Sequence, residues 1–243
     1  MSNIGDGMGM GLLEVGPDKC PICEKAPHPD RTTKDKKEDK GCLKSIPANL
    51  GCAQLPPMPQ LPNYATAAHH LIPANQCLKA FPRLSQMCKV VGYDVNNGSN
   101  GMSLPTCGQQ ALNRYARASG GHAKYGDLDE QDKKNAAFAI MSGLNLQWHV
   151  GHHDWSFEGL DLETDNEAHP SNYDRLVKTR LRNLEREFKD DGKEICEPED
   201  GQESGADVIS DLNALSQEIK GQVAAWNKYF VSAKAYQFKR KYR

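Results

Sequence analysis

Between residues 173 and 188 the apolar side chains Tyr173, Leu176, Val177, Leu181, Leu184 and Phe188 recur at helical spacing, with Arg and Lys between them. This predicts an amphipathic helix with one buried stripe and a cationic outer face. A second stripe, at positions 208, 212, 215, 219, 223, 226, 230 and 233, keeps the same period over about eight turns and predicts one long C-terminal helix packed across the domain. The stretches "CGQQALNRYARAS" and "LDEQDKKNAAFAIMSGLNLQWHVGHH" also read as helices, the latter broken or ended around Gly143. In "NQCLKAFPRLSQMCKVVG" the apolar spacing is mixed, and Pro82 should begin or break a helix. "VNNGSNGMSLP" is a turn-rich loop whose Asn100-Gly101 pair favours positive φ.

Ahead of residue 64 the periodicity disappears. Residues 1–63 are rich in Gly, Pro and Lys and end in "AQLPPMPQLPN", an extended connector of polyproline type. The chain thus divides into an N-terminal segment, 1–63, and a folded domain, 64–243. Within the first segment Cys20 and Cys23 form a C-x2-C knuckle suited to structural zinc, with His28, Cys42 and Cys52 as completing ligands. Free thiols in a flexible arm are the alternative. "KDKKEDKGCLK", residues 34–44, mixes both signs of charge and reads as a solvated linker.

Composition sharpens this picture only in places. Hydrophobic residues make up 38% and charged residues 26%, with 14 Pro and 21 Gly, so an ordered centre with considerable loop is expected. A net charge of −2 supplies no global field toward nucleic acid, and any such binding must be local. The terminal "KAYQFKRKYR" is such a patch, because it interleaves cations with Tyr and Phe and suits phosphate contact with base stacking. A solubilising tail is its plainer reading. No stretch approaches the roughly 18 apolar residues of a membrane span, and no charged n-region precedes an apolar run. Without a Sec-type signal the eight cysteines are expected as thiols or metal ligands rather than as a disulfide framework.

The chemistry concentrates in histidine. Six of the eight fall at His69, His70, His149, His152, His153 and His169, while His28 and His122 stand apart as ordinary surface or core residues. Imidazole is both the commonest transition-metal ligand and the side chain best placed for proton transfer near neutral pH. In "WHVGHH", His149 and His153 are four apart, so a helix there would put both on one face as a metal clamp. A third ligand must come from elsewhere, and the adjacent His69 and His70 offer one. On an extended strand these neighbours face opposite ways, so one binds metal while the other activates water only if the chain bends, as the Pro73 exit permits.

The ordered set "AHHLIP", "GYDVNNGSNGMSLP", "WHVGHH" and "HPSNYDRLVKTRL" resembles the AHH branch of the HNH, or His-Me finger, nucleases over about residues 64–190. Such domains recur as bacterial polymorphic toxins, including type VI secretion effectors. The resemblance implies an α+β, predominantly helical fold: a small ββα-metal core embedded among helices, with the long C-terminal helix outside the matched region. It implies His69 as a metal ligand, His70 as the general base, Asn100 as the brace of the loop holding that base, and His149 with His153 as the metal pair. Here the chain departs from the family, because the expected Pro-Tyr element comes only at Pro170 and Tyr173. His169 is therefore an alternative ligand to His153.

By the same resemblance, the expected activity is that of a metal-dependent endonuclease toxin that hydrolyses DNA largely without sequence specificity. Its cofactor would be a divalent ion (Mg, Zn, Ni or Mn), with structural zinc at Cys20 and Cys23 as a separate candidate. Arg175, Lys178 and Arg182, with Arg180 and Arg186, would hold flanking phosphates, unless they pair with Asp174, Glu185 and Glu187 along the helix. Made in the bacterial cytoplasm and delivered into a target cell, the protein would meet DNA, a cognate immunity protein and a component of the secretion machine, but no membrane. Two other readings compete: a zinc-stabilised interaction or delivery module without catalysis, and an RNase on the same scaffold.

Overall fold

The computed structural model describes residues 19–20, 22–24, 41–62, 64–106, 130–149, 172–190 and 206–243. Over these the fold is α+β, with a two-stranded antiparallel sheet and five helices. Strand β1, Ala65–His70, pairs with β2, Gly101–Thr106, in a register that sets His69 opposite Met102 and His70 opposite Gly101. "ATAAHH" has little intrinsic strand preference, and its burial rises along its length until the two histidines are enclosed. Pro105 sits in β2 without a donor to give; its carbonyl instead accepts from the His149 amide at 2.9 Å.

Helix α1, Pro82–Val91, begins on its proline and stops at Gly92, whose φ of 86° suits a residue without a Cβ. Helix α2, Glu130–Leu144, ends where Asn145 turns left-handed, close to the break expected at Gly143. Helix α3, Asn172–Asp190, buries Tyr173, Val177, Leu181 and Phe188, while Leu176 and Leu184 are partly covered, as its stripe predicts. The buried Glu185 of α3 accepts from the Leu84 amide at 3.1 Å and so caps the first turn of α1.

The expected long C-terminal helix is two helices, α4, Ala206–Ala224, and α5, Ala233–Tyr242. Trp226 adopts φ 55° and is completely buried, and the Ser232 side chain caps α5 by accepting from the Ala235 amide. Gln147 satisfies the backbone freed by the break. Its amide nitrogen donates to the Val223 and Tyr229 carbonyls at 2.8 and 2.9 Å, and its oxygen accepts from Val231 at 3.0 Å. Apolar periodicity persists through the break because the turn buries its own aromatic residues, which is why spacing alone suggests one helix.

Two apolar clusters result. The larger joins α1, α3, α4 and the segment after β1, and takes in Cys20 and Ile22 from the N-terminal region. The smaller gathers Phe138, Ile140 and Met141 of α2 with Trp148, Trp226 and Phe238. Burying each large side chain of this kind contributes about 1.5–3 kcal/mol.

The Pro-rich stretch expected as a connector lies along the sheet. Ser103 donates to the Ala53 carbonyl at 2.7 Å, the Leu55 amide donates to Thr66 Oγ1 at 2.8 Å, and the Tyr64 hydroxyl donates to the Pro56 carbonyl. The end of the expected solvated linker is likewise packed. Leu43 is buried, Cys42 forms an isolated parallel bridge with Asp94, and a Cβ on Gly41 would stand 2.4 Å from the Cys88 carbonyl oxygen. Only glycine permits that approach of the two backbones.

Candidate metal and base site

His69 and His70 close β1 and are nearly completely buried, and their side chains meet different elements. His69 faces α3 and the chain leaving α2. Its Nε2 lies 3.1 Å from the Tyr173 hydroxyl, and its ring meets that of His149 edge-on with centroids 4.9 Å apart. The single phenolic proton of Tyr173 donates to the Leu71 carbonyl at 2.7 Å, so toward His69 the phenol oxygen accepts. Nε2 of His69 therefore carries the proton, and Nδ1 keeps the lone pair. Burial pushes the Tyr173 hydroxyl well up, which keeps the phenol neutral and this assignment intact.

His149 does not stand on a helix. It follows α2 in an extended connection and is held by its amide bond to Pro105, so the one-face helical clamp does not describe its own backbone. Gln147, two residues earlier, and the buried Trp148 fix that connection from both sides. His153 and His169 lie outside the described residues, as do His28, His122 and His152. Among the described residues no group of three or more His, Cys, Asp or Glu is placed to hold a metal.

Two imidazoles sharing one ion at metal–nitrogen distances of about 2.0–2.1 Å and a near-tetrahedral angle hold their centres roughly 5 Å apart. The His69–His149 spacing of 4.9 Å matches that value. His69 also presents its lone pair on Nδ1 while its other nitrogen is fixed by an oxygen acceptor, the second-layer arrangement typical of histidine ligands. In centre-to-centre distance the pair could share a divalent ion, which would need at least one more ligand from outside the described residues.

His70 faces the loop before β2. Its Nε2 lies 3.1 Å from Oδ1 of Asn96. The orientation of that amide is set by its other bonds: Nδ2 donates to the Lys44 carbonyl and to Asp94, and Oδ1 accepts from the Ile46 amide at 2.6 Å. Nε2 of His70 consequently donates, and its Nδ1 is left with the lone pair that a base requires. Burial lowers the imidazole's affinity for protons, while the Asn96 bond and the Asp94 charge act in the opposite direction. The neutral, proton-accepting form is thereby favoured.

Asn100, expected as the brace of this loop, is fully buried and holds the turn that follows His70. Its Oδ1 accepts from the Ile72 amide at 2.7 Å, its Nδ2 donates to the Ile72 and Val95 carbonyls, and its own carbonyl accepts from Leu71. Helix α4 backs it up: Ser216 Oγ lies 3.1 Å from Asn100 Oδ1, and Gln217 donates to the Ser99 carbonyl. The positive φ expected at the Asn-Gly pair is not adopted, since Gly101 is extended at φ −112°. Its small size serves a different end, because a Cβ would lie 3.0 Å from Cys52 Sγ and 3.1 Å from Leu50 Cβ.

The remaining candidates lie elsewhere. Cys20 and Cys23 share a tight turn in which the Glu24 amide donates to the Cys20 carbonyl, and buried Arg83 of α1 holds that turn through the Ile22 carbonyl and the Glu24 carboxylate. Cys42, Cys52, Cys77 and Cys88 are free thiols. On α3, Arg175, Arg182 and Arg186 are exposed and Lys178 is half-buried. Arg180 pairs with Glu218 of α4 rather than along its own helix, and Arg182 lies over the Phe81 ring.

Sequence reasoning misses Asn96 and the Lys44–Ile46 backbone that orients it. The only signal is "DVNN" itself, where two asparagines follow an aspartate with nothing in the local pattern to say which reaches the base. Compared with known proteins, the chain matches no family model, no curated protein and no solved structure.

Proposed function

We propose that the chain is a metal-dependent endonuclease that hydrolyses DNA phosphodiester bonds with little sequence preference, built on a ββα-metal core. The observation that carries this reading is the pairing of two differently prepared imidazoles on one strand end. His69 sets its ring against that of His149 with Nε2 on Tyr173, and His70 is held through Nε2 by Asn96, which leaves Nδ1 as its basic nitrogen. A divalent ion bound by His69, His149 and either His153 or His169 would neutralise charge on the phosphate and on the departing oxygen.

The chain's own residues supply the rest. The two side chains meet different elements, so a phosphate served by both would lie across the end of β1, where the chain leaves the strand after His70. His70 Nδ1 takes a proton from the attacking water, and the resulting imidazolium is stabilised by the Asn96 acceptor and by nearby Asp94. A base so placed contributes typically 10²–10⁴-fold. Tyr173 keeps His69 in the metal-binding tautomer, and Asn100 fixes the turn between the strand end and α1. Arg175, Lys178 and Arg182 would steady flanking phosphates from α3 without reading bases. As an agent against competing cells, such an activity would be restrained in its producer by an immunity protein.

Plasmid cleavage tests the reading. The purified chain should nick supercoiled DNA with Mg²⁺ or Mn²⁺, lose activity in chelator, and lose at least about 10²-fold in the His70→Ala variant while still binding metal. A folded, metal-loaded wild type that cleaves neither DNA nor RNA would overturn it. Cleavage of RNA alone would keep the site and change the substrate.

A further inference from the structure

The C-terminal region has a chemistry that the histidine site does not use. From Trp226 to Arg243 the chain carries six basic residues, Lys228, Lys234, Lys239, Arg240, Lys241 and Arg243, and no acidic one, although the whole protein is slightly acidic. Helix α5 lies against α2, and between them runs an open groove of about 540 Å³. Phe138, Phe238 and Tyr242 form its aromatic wall, Asn135 and Ser142 its polar side, and no carboxylate is among the described residues that line it. That volume is in the range of sites that enclose a small ligand or part of a larger one.

Tyr242 decides what kind of occupant this is. It is 55% exposed and is the only large hydrophobic side chain so exposed among the described residues. The ring is held from behind by Phe238 at 5.1 Å and Phe138 at 5.8 Å, so an aromatic face is presented on a firm support. Two cations lie close by, one of them over the ring itself. Lys241 lies 5.1 Å from the Tyr242 ring centre, while Arg243 is anchored by the Asn145 side chain and stacks over Trp226 at 4.8 Å.

We propose that the α2–α5 groove binds a single nucleic-acid strand, with an unpaired base stacked on Tyr242 and the phosphates followed by Lys239, Lys241 and Arg243. An exposed aromatic ring with cations close by, and no carboxylate among the described residues that line the groove, is complementary to a base on a polyanionic backbone. Paired DNA hides its base faces and would use the cations only. A free nucleotide would engage one end of a cationic run that extends over more than a turn of helix. This inference goes beyond the cleavage reading and does not rest on it.

Fluorescence anisotropy of a labelled oligothymidylate would test the site in the full chain carrying His70→Ala, with Mg²⁺ present, so that strand scission does not intervene. Tyr242→Ala should weaken binding roughly 5- to 100-fold, the range for loss of one stacked base, and Tyr242→Phe should stay within about twofold. Lys239→Glu with Lys241→Glu should weaken it further and flatten the salt dependence. Unlabelled single strand should compete better than a duplex of equal length or polyglutamate. No binding by the parent, an unchanged Tyr242→Ala, or equal competition by polyglutamate would overturn the proposal; the last would mark the surface as a docking face for an acidic protein. Because the readout is binding, an inactive plasmid assay with strand binding intact would count against the nuclease reading alone.

Discussion

At the scale of single residues, the feature that matters most is that each histidine of the pair has a partner that settles its tautomer. Asn96 does this for His70, and its effect separates from a packing role through the pH profile. Asn96→Ala should cost roughly 10²-fold in cleavage, the order expected when a catalytic group is misplaced by about 1 Å. The bond to Asn96 raises the affinity of His70 for protons, so its loss should also move the acid limb of the rate profile to lower pH. Asn96→Asp keeps an acceptor but adds a negative charge, which should move the same limb upward. Profiles that shift in the same direction in both variants would show that Asn96 does not act through His70. His69, His70, Asn100 and His149 are legible in the sequence because short motifs carry them. Asn96 is not, since its meaning depends on Ile46 and Lys44, about 50 residues away, and side-chain amides leave no periodic trace.

At the scale of elements, apolar spacing succeeds where a helix lies against one body of core and fails where the chain turns without leaving it. The α3 stripe is legible down to Tyr173 and Phe188, whereas α4 and α5 merge in the pattern because Trp226 and Phe230 stay in phase while the backbone changes direction. The junction between α1 and α3 shows a further cost of burial. Glu185 is nearly inaccessible, and desolvation raises its carboxyl above the ordinary range despite the Leu84 amide, Arg83 and Arg182. A raised folded value means that the protonated acid favours the native state. The contribution is complete below the unfolded value, about 4.3, and is lost as pH rises through the folded value. Glu185→Gln keeps an oxygen for the Leu84 amide without the charge. Its melting temperature should therefore match that of the wild type near pH 4 and exceed it near pH 8. A deficit at pH 8 would mean that the charge on the α1 N-terminus outweighs desolvation.

At the scale of the whole molecule, residues 41–62, expected as part of the N-terminal segment, hydrogen-bond to both strands and hold the amide behind His70. Composition suggests a connector because Pro-rich segments lack a repeating pattern whether they lie free or run along a sheet. Removing residues 1–40 should leave metal affinity and the His70 profile intact if the Cys20–Glu24 turn adds stability alone, and urea denaturation should show a loss because the core is stripped of Ile22 and Arg83 loses its partners in that turn. Removing 1–60 should abolish cleavage, as it strips Lys44 and Ile46 from Asn96. Full activity in the longer deletion would show that this segment is dispensable for the site.

The grip of α4 on the strand turn has a temporal consequence. Ser216 and Gln217 reach Asn100 and Ser99 across more than a hundred residues of sequence. During synthesis both histidines of β1 therefore leave the ribosome long before the support that orders the turn behind them. A nascent chain not yet made through residue 217 carries both histidines without this bracing, and a premature stop in α4 should leave a product that lacks the proposed cleavage activity.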